Sequence, residues 1–159
     1  MTREIILVRH ADAEPARAGQ RDLARPLSSK GTLEADTAGQ WLKQHRASPD
    51  CVICSGAQRA VATAQRIVAT LGMGQPLIDE TIYDATPGDL VRVLDQHTGA
   101  ASVLIVGHNP GLESLVGLLS EGASDSGRGM PPATIAWLSM PVGAALEPGV
   151  AEVRHFWWP

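Results

Sequence analysis

The chain is short of the residues that would staple it, anchor it or charge it in one direction. Two cysteines in 159 residues are too few for a disulfide framework, and a chain of this length holds a core without one, burying roughly 68–70% of its unfolded surface. Apolar runs extend only a few residues, far short of the ~20 that a membrane helix needs. No charged-then-apolar leader precedes the first strand-like run, so the expectation is a cytoplasmic protein with no membrane partner. A basic run is also absent. Thirteen Lys and Arg stand against 17 Asp and Glu, a formal charge of −4, which disfavours nucleic acid as a partner. What remains, 44% hydrophobic and 19% charged, is the composition of one globular domain over residues 1–159.

Cys51 and Cys54 form a CxxC. A redox pair places its first sulfur at a helix N-terminus, whereas Cys51-Val52-Ile53-Cys54 is a β-branched apolar run that reads as strand. Residues three apart on a strand face opposite ways and lie ~10 Å apart, beyond the ~7 Å reach of a disulfide. The expectation is two buried thiols, with no other cysteine to complete a metal site.

Arg3 to Val8 is a near-continuous apolar run, the pattern of a strand buried on both faces. A polar segment from Ala11 to Arg25 reads as exposed loop. Ser28 or Ser29 then caps a helix carrying Leu33, Ala38, Trp41 and Leu42. After the Cys51–Cys54 strand, a helix begins at Ser55-Gly56, carries Ala60, Ala64, Ile67, Val68 and Leu71, and stops near Gly72. Residues 75–83 are weakly strand-like, and Pro87 opens a helix with Leu90, Val91 and Leu94 inward. Ser102 to Val106 is the clearest buried strand. It is followed by Pro110 and a helix with Leu112, Leu115, Val116 and Leu119 at i, i+3, i+4, i+7. Two last runs, 133–140 and 150–158, read as strands. Alternating strands and helices predict a three-layer α/β domain, a mostly parallel sheet with helices on both faces.

Polar residues fall where these strands end. Arg9-His10 follows the first, Ser55 and then Arg59 the second, and Gly107-His108-Asn109 the Ser102–Val106 strand. In a parallel sheet all three sets share the carboxyl edge, where open α/β folds bind ligands. Two guanidinium forks suit a phosphoryl dianion. Helix N-termini behind Ser55 and Asn109 add N–H donors, and a neutral imidazole is a competent nucleophile at pH 7. The grouping points to phosphoryl transfer through a phosphohistidine, with protein cations doing what magnesium does elsewhere. His45, His97 and His155, near helix ends or in a strand, receive no function. Ser55 and Asn109 also have a simpler reading as helix caps.

These residues carry a family resemblance. Leu7-Val8-Arg9-His10-Ala11 resembles the RHG signature of the histidine phosphatase superfamily. Residues 55–64, Ser-Gly-Ala-Gln-Arg-Ala-Val-Ala-Thr-Ala, resemble its S-x-x-x-R-A-x-x-T-A segment, and Gly107-His108-Asn109-Pro110 its GHNP segment. Residues 22–31 and the short length are similar to the SixA-type phosphohistidine phosphatases within it. The resemblance implies a phosphoglycerate mutase-like fold, no metal and no cofactor. It assigns His10 as nucleophile, Arg9 and Arg59 as phosphate clamps and His108 as a phosphate-binding group. It also places the general acid of mutase-like relatives on Glu80, with Asp84 as competitor. Ser55 and Arg25 are further candidate substrate contacts, and Arg21, Arg25 and the 122–129 loop candidate rim residues. Ala11 departs from the glycine of RHG, which an extended backbone tolerates. The implied substrate is phosphohistidine on a signalling or carrier protein; a small phosphomonoester, or a binding module without turnover, are the alternatives. A phosphoramidate leaves as neutral imidazole once its nitrogen is protonated, so it needs a general acid less than an alkyl phosphate does.

Overall fold

A computed structural model describes residues 1–125 and 128–159. Six strands form one sheet: β1 (Thr2–Arg9), β2 (Cys51–Cys54), β3 (Leu77–Ile78), β4 (Ser102–Gly107), β5 (Ile135–Pro141) and β6 (Glu152–Trp157). Their order is β3-β2-β4-β1-β5-β6. The first four strands are parallel, while β5 runs antiparallel to both β1 and β6. Helices α1 (Ser29–Gln44), α2 (Gln58–Leu71), α3 (Pro87–Asp95) and α4 (Gly111–Glu121) connect them. The architecture is the expected three-layer α/β arrangement.

The period of two in a strand explains the layers. The apolar run of β1 splits, Ile5 and Leu7 packing with α3 and α4 residues such as Leu90 and Leu112, and Ile6 and Val8 with α1 and α2 residues such as Leu42 and Ile67. Strand β4 divides likewise, Val103 and Ile105 to one side and Leu104 and Val106 to the other. Burying each large aliphatic side chain stabilises the fold by about 1.5–3 kcal/mol, and Ile5, Ile6 and Leu7 are fully buried.

Several local expectations need correction. Leu33, read as part of the apolar recurrence of α1, is 68% exposed. The inner face of α1 is instead Gly31, Ala35, Ala38, Gly39 and Leu42, because α1 runs close to its neighbours: a Cβ on Gly31 would strike the Asp12 carbonyl. Residues 75–83 give only the two-residue β3 and a 3₁₀ turn, Glu80–Ile82, since Leu77 and Ile78 lie exposed at the sheet edge. Ser28 caps α1 through the Gly31 N–H, and Thr86 with Asp89 forms a capping box on α3. Cys51 is only half-buried, while Cys54 is buried; both are free. Burial pushes the Cys54 thiol up to about 11 and raises Cys51 too, so neither has the thiolate of a redox pair. Among the described residues, no helix is long and apolar enough to cross a membrane.

Candidate active site

Sheet register brings the polar sets together. Val8 pairs with Val106, and Cys54 pairs with Val106 from the other side, so β1, β2 and β4 reach their carboxyl ends on one line. The residues that follow leave the sheet side by side: the His10 N–H donates to the Gly107 carbonyl and the Ser55 N–H to the Val106 carbonyl. The His10 and His108 rings lie with centroids 5.1 Å apart. Arg59 enters from the first turn of α2, its Nε donating to His10 Nε2 at 3.4 Å.

The hydrogen bonds determine which nitrogen of His10 is free. Nδ1 lies 2.8 Å from the Ala11 carbonyl, which can only accept, so Nδ1 carries the hydrogen and Nε2 the lone pair. Burial, with His108, Arg59 and Arg9 nearby, lowers the His10 pKa to about 3. His10 is therefore neutral at pH 7, with a nucleophilic Nε2 facing a guanidinium. The Ala11 methyl in place of the expected glycine is buried against Ala35 and Ala133. The Ala11 N–H donates to Thr63 Oγ1 at 3.1 Å, and Thr63 in turn donates to the Arg59 carbonyl.

His108 is anchored through its other nitrogen. Its Nε2 lies 2.8 Å from Ser55 Oγ, which accepts from the Ala57 N–H; with the Ser55 hydroxyl donating to Nε2, the neutral ring carries its hydrogen on Nδ1. Ser55 is fully buried and Ala57 takes the N-cap position of α2, so Ser55 steadies His108 rather than capping the helix. Among the described residues, His108 Nδ1 is buried without a hydrogen-bond partner, as is Arg9 Nε. Burial, then Arg59, lowers the His108 pKa to about 4, opposed by the charge of Asp22. Arg9 donates to the Met130 carbonyl, which also accepts from Asn109 Nδ2. Asn109 Oδ1 in turn accepts from the Glu113 N–H in the first turn of α4.

Glu80 and Asp84 are the candidate acids. The Glu80 carboxylate lies over Gly56, where a side chain would collide with it. Asp84, in the left-handed region with φ 52°, lines a cleft of about 270 Å³ with His108, Asn109 and Pro87. Among the described residues neither carboxylate hydrogen-bonds to Arg9, His10, Arg59 or His108. Arg25 donates to the Glu14 carbonyl and to Asp22 Oδ1, and Arg21 is exposed. Of the 122–129 loop, positions 126 and 127 lie outside the described residues. A larger groove of about 540 Å³ between α1 and α2, lined by Asp36 and Arg66 among others, touches none of the four central residues.

Sequence reasoning missed Asp22 and Tyr83. Asp22, in the 3₁₀ turn Asp22–Ala24, accepts from Arg59 Nη2 at 3.0 Å and from the Tyr83 hydroxyl at 2.6 Å. Its backbone carbonyl accepts from Arg59 Nη1 at 2.8 Å. The Tyr83 hydrogen bond, then Arg25 and Arg59, hold the Asp22 carboxyl well below the usual carboxylate range. Tyr83 also sets its ring edge-on to His108 at 5.4 Å. Thr63 had a signal, one helical turn after Arg59 and on its face; nothing local pairs Asp22 with Arg59 and Tyr83, which are far away in the chain.

Residues 5–91, more than half of the chain, match the histidine phosphatase superfamily (branch 1). The chain is a histidine phosphatase superfamily member. Within the superfamily it is 32% identical over 125 residues to the phosphohistidine phosphatase SixA of Escherichia coli, a match covering 75% of each chain. It is 34% identical over 104 residues to an uncharacterised protein of Mycobacterium tuberculosis, covering 64% of this chain and 63%, less than two thirds, of that relative. A solved structure of a candidate phosphohistidine phosphatase SixA from Nakamurella multipartitia is 30% identical. It superposes with a TM-score of 0.82 over 100% of this chain and 97% of that one. This superfamily member is therefore SixA-like in sequence and in fold.

Proposed function

We propose that the protein is a metal-independent phosphatase that passes the phosphoryl group through His10, and that its substrate is a phosphohistidine on a partner protein. The observation that carries the reading is the free Nε2 of His10, its Nδ1–H held by the Ala11 carbonyl and its lone pair turned to Arg59. Resemblance to proteins named phosphohistidine phosphatase supports the substrate class.

The phosphoryl oxygens seat against Arg9, Arg59 and His108, whose charges and donor N–H groups stabilise the charge spread over the transferring group. Nε2 of His10 attacks phosphorus in line, and the leaving group departs toward solvent. Water then attacks the phosphorylated His10, releasing phosphate and restoring the imidazole. Preorganised guanidinium groups stand where other phosphoryl-transfer enzymes use magnesium, and this supports turnover without a metal. Ser55 acts as a positioning residue, and Arg25 reaches the pocket through Asp22.

Labelled phosphohistidine peptide, turned over in EDTA and quenched in base, which preserves the P–N bond, tests this reading. Label on His10 at the steady state, with full turnover in the chelator, is the expected result. Activity lost in EDTA and restored by a divalent ion would overturn metal independence. Turnover of metabolite phosphates but not of the peptide would move the reading to a small phosphomonoester.

A further inference from the structure

The four central groups, Arg9, His10, Arg59 and His108, are imidazoles and guanidiniums, yet an ionised carboxylate, Asp22, is paired with Arg59 beside them. Asp22 is roughly half exposed, ties down both terminal nitrogens of Arg59, and is braced by Arg25 and Tyr83. The Arg59 Nε of the same guanidinium touches His10 Nε2. Asp22 and the nucleophile therefore meet the same guanidinium, Asp22 at its terminal nitrogens and His10 at its Nε. A carboxylate here lowers the pocket's affinity for any dianion, and its hydrogen bonds keep it ionised, so it has no proton to give to a leaving alkoxide. Some other role must offset this repulsion.

Resting on the phosphohistidine reading above, we infer that Asp22 accepts a hydrogen bond from the unphosphorylated ring nitrogen of the substrate and holds the proton there. The charges then balance without a general acid. A substrate imidazolium bearing the phosphoryl group meets neutral His10, a bond forms between His10 Nε2 and phosphorus, and the P–N bond of the substrate breaks. Its electron pair returns to the ring nitrogen, and the substrate imidazole leaves neutral with its proton still on the other nitrogen. His10 becomes the imidazolium, its own proton on Nδ1 held by the Ala11 carbonyl. Asp22 thus does for the substrate ring what the Ala11 carbonyl does for His10, and both rings keep the protonated form from which a P–N bond breaks readily. An alkyl phosphomonoester gains nothing from Asp22 and is repelled by it, which makes this carboxylate a determinant of specificity.

The test compares kcat/KM on a phosphohistidine peptide and on p-nitrophenyl phosphate, whose leaving group needs no proton, for wild type, Asp22→Asn and Asp22→Glu. Asp22→Asn is expected to lower the ratio of the two activities at least tenfold. Its phosphohistidine rate should shift toward acid pH, where solvent protonates the ring, and its aryl phosphate rate should rise as the negative charge is removed. Asp22→Glu should restore the ratio. Equal losses on both substrates in Asp22→Asn would show that Asp22 merely holds Arg59, overturning the inference and leaving the phosphohistidine reading intact. Wild type that hydrolyses p-nitrophenyl phosphate but not the peptide would overturn that reading, and the inference with it.

Discussion

The two imidazoles of the pocket are neighbours with opposite tethers. His10 is held through Nδ1 by a backbone carbonyl, which leaves Nε2 with its lone pair exposed to Arg59. His108 is held through Nε2 by the buried hydroxyl of Ser55, which leaves Nδ1 buried and unpartnered. Both rings are neutral at pH 7 because burial beside two arginines penalises a third and fourth positive charge. Two identical side chains are thus set apart by which nitrogen the fold ties down, and the proposed reading gives them different work: His10 as nucleophile, His108 as ligand to the phosphoryl oxygens.

Substitutions break the comparison in order of effect. His10→Ala should reduce hydrolysis to the uncatalysed background while phosphate affinity, measured by titration calorimetry, stays within about threefold, because the clamp is intact. A variant retaining turnover would show that the phosphoryl group does not pass through His10. His108→Ala should cost about 10²–10³ in rate, the scale of losing one donor to a transition-state oxyanion, yet still form the labelled His10 intermediate in a single turnover. Ser55→Ala leaves His108 in place but unheld, and steady-state kinetics should show a loss of about 10–100-fold, the range for a group that orients a functional imidazole.

Acidity sharpens the comparison without a mutation. Both histidines titrate below 6.5 in the folded protein, near 3 and 4, so between those values and 6.5 the unfolded chain binds more protons. Stability should therefore fall as pH drops from 6.5 toward 4, by up to about 1.4 kcal/mol per pH unit for each group. Urea melts at pH 7.5 and 5 measure this loss, and His10→Ala should diminish it. A midpoint that does not move between the two pH values would show that the rings are not held neutral by the fold.

Much of this was legible in the chain. An apolar run such as Ile5 to Val8 has one good explanation, burial on both faces of a sheet, and once the strands are parallel their carboxyl ends coincide, which gathers Arg9, His10, Arg59 and His108. Local rules also narrowed the cap of α1 to Ser28 or Ser29, of which Ser28 takes the position, and located the stop of α2 at Gly72. Leu33 misled because propensity and hydrophobicity cannot show that α1 packs through glycine and alanine. Ser55 misled because a serine before a helix is usually a cap, and only the position of His108 gives its hydroxyl another partner.

The residues of the chain by themselves determined the alternation of strands and helices and the cationic, histidine-bearing strand ends, since these follow from side-chain periodicity and from charges that no folding can remove. Tertiary structure alone decided the rest: which nitrogen of each imidazole is free, how far burial depresses its basicity, and that Asp22 closes on Arg59. Those properties belong to distances between segments remote in sequence. Hydrogen-bond direction and desolvation act over a few ångströms of space, so they exist only once the chain has brought the segments together.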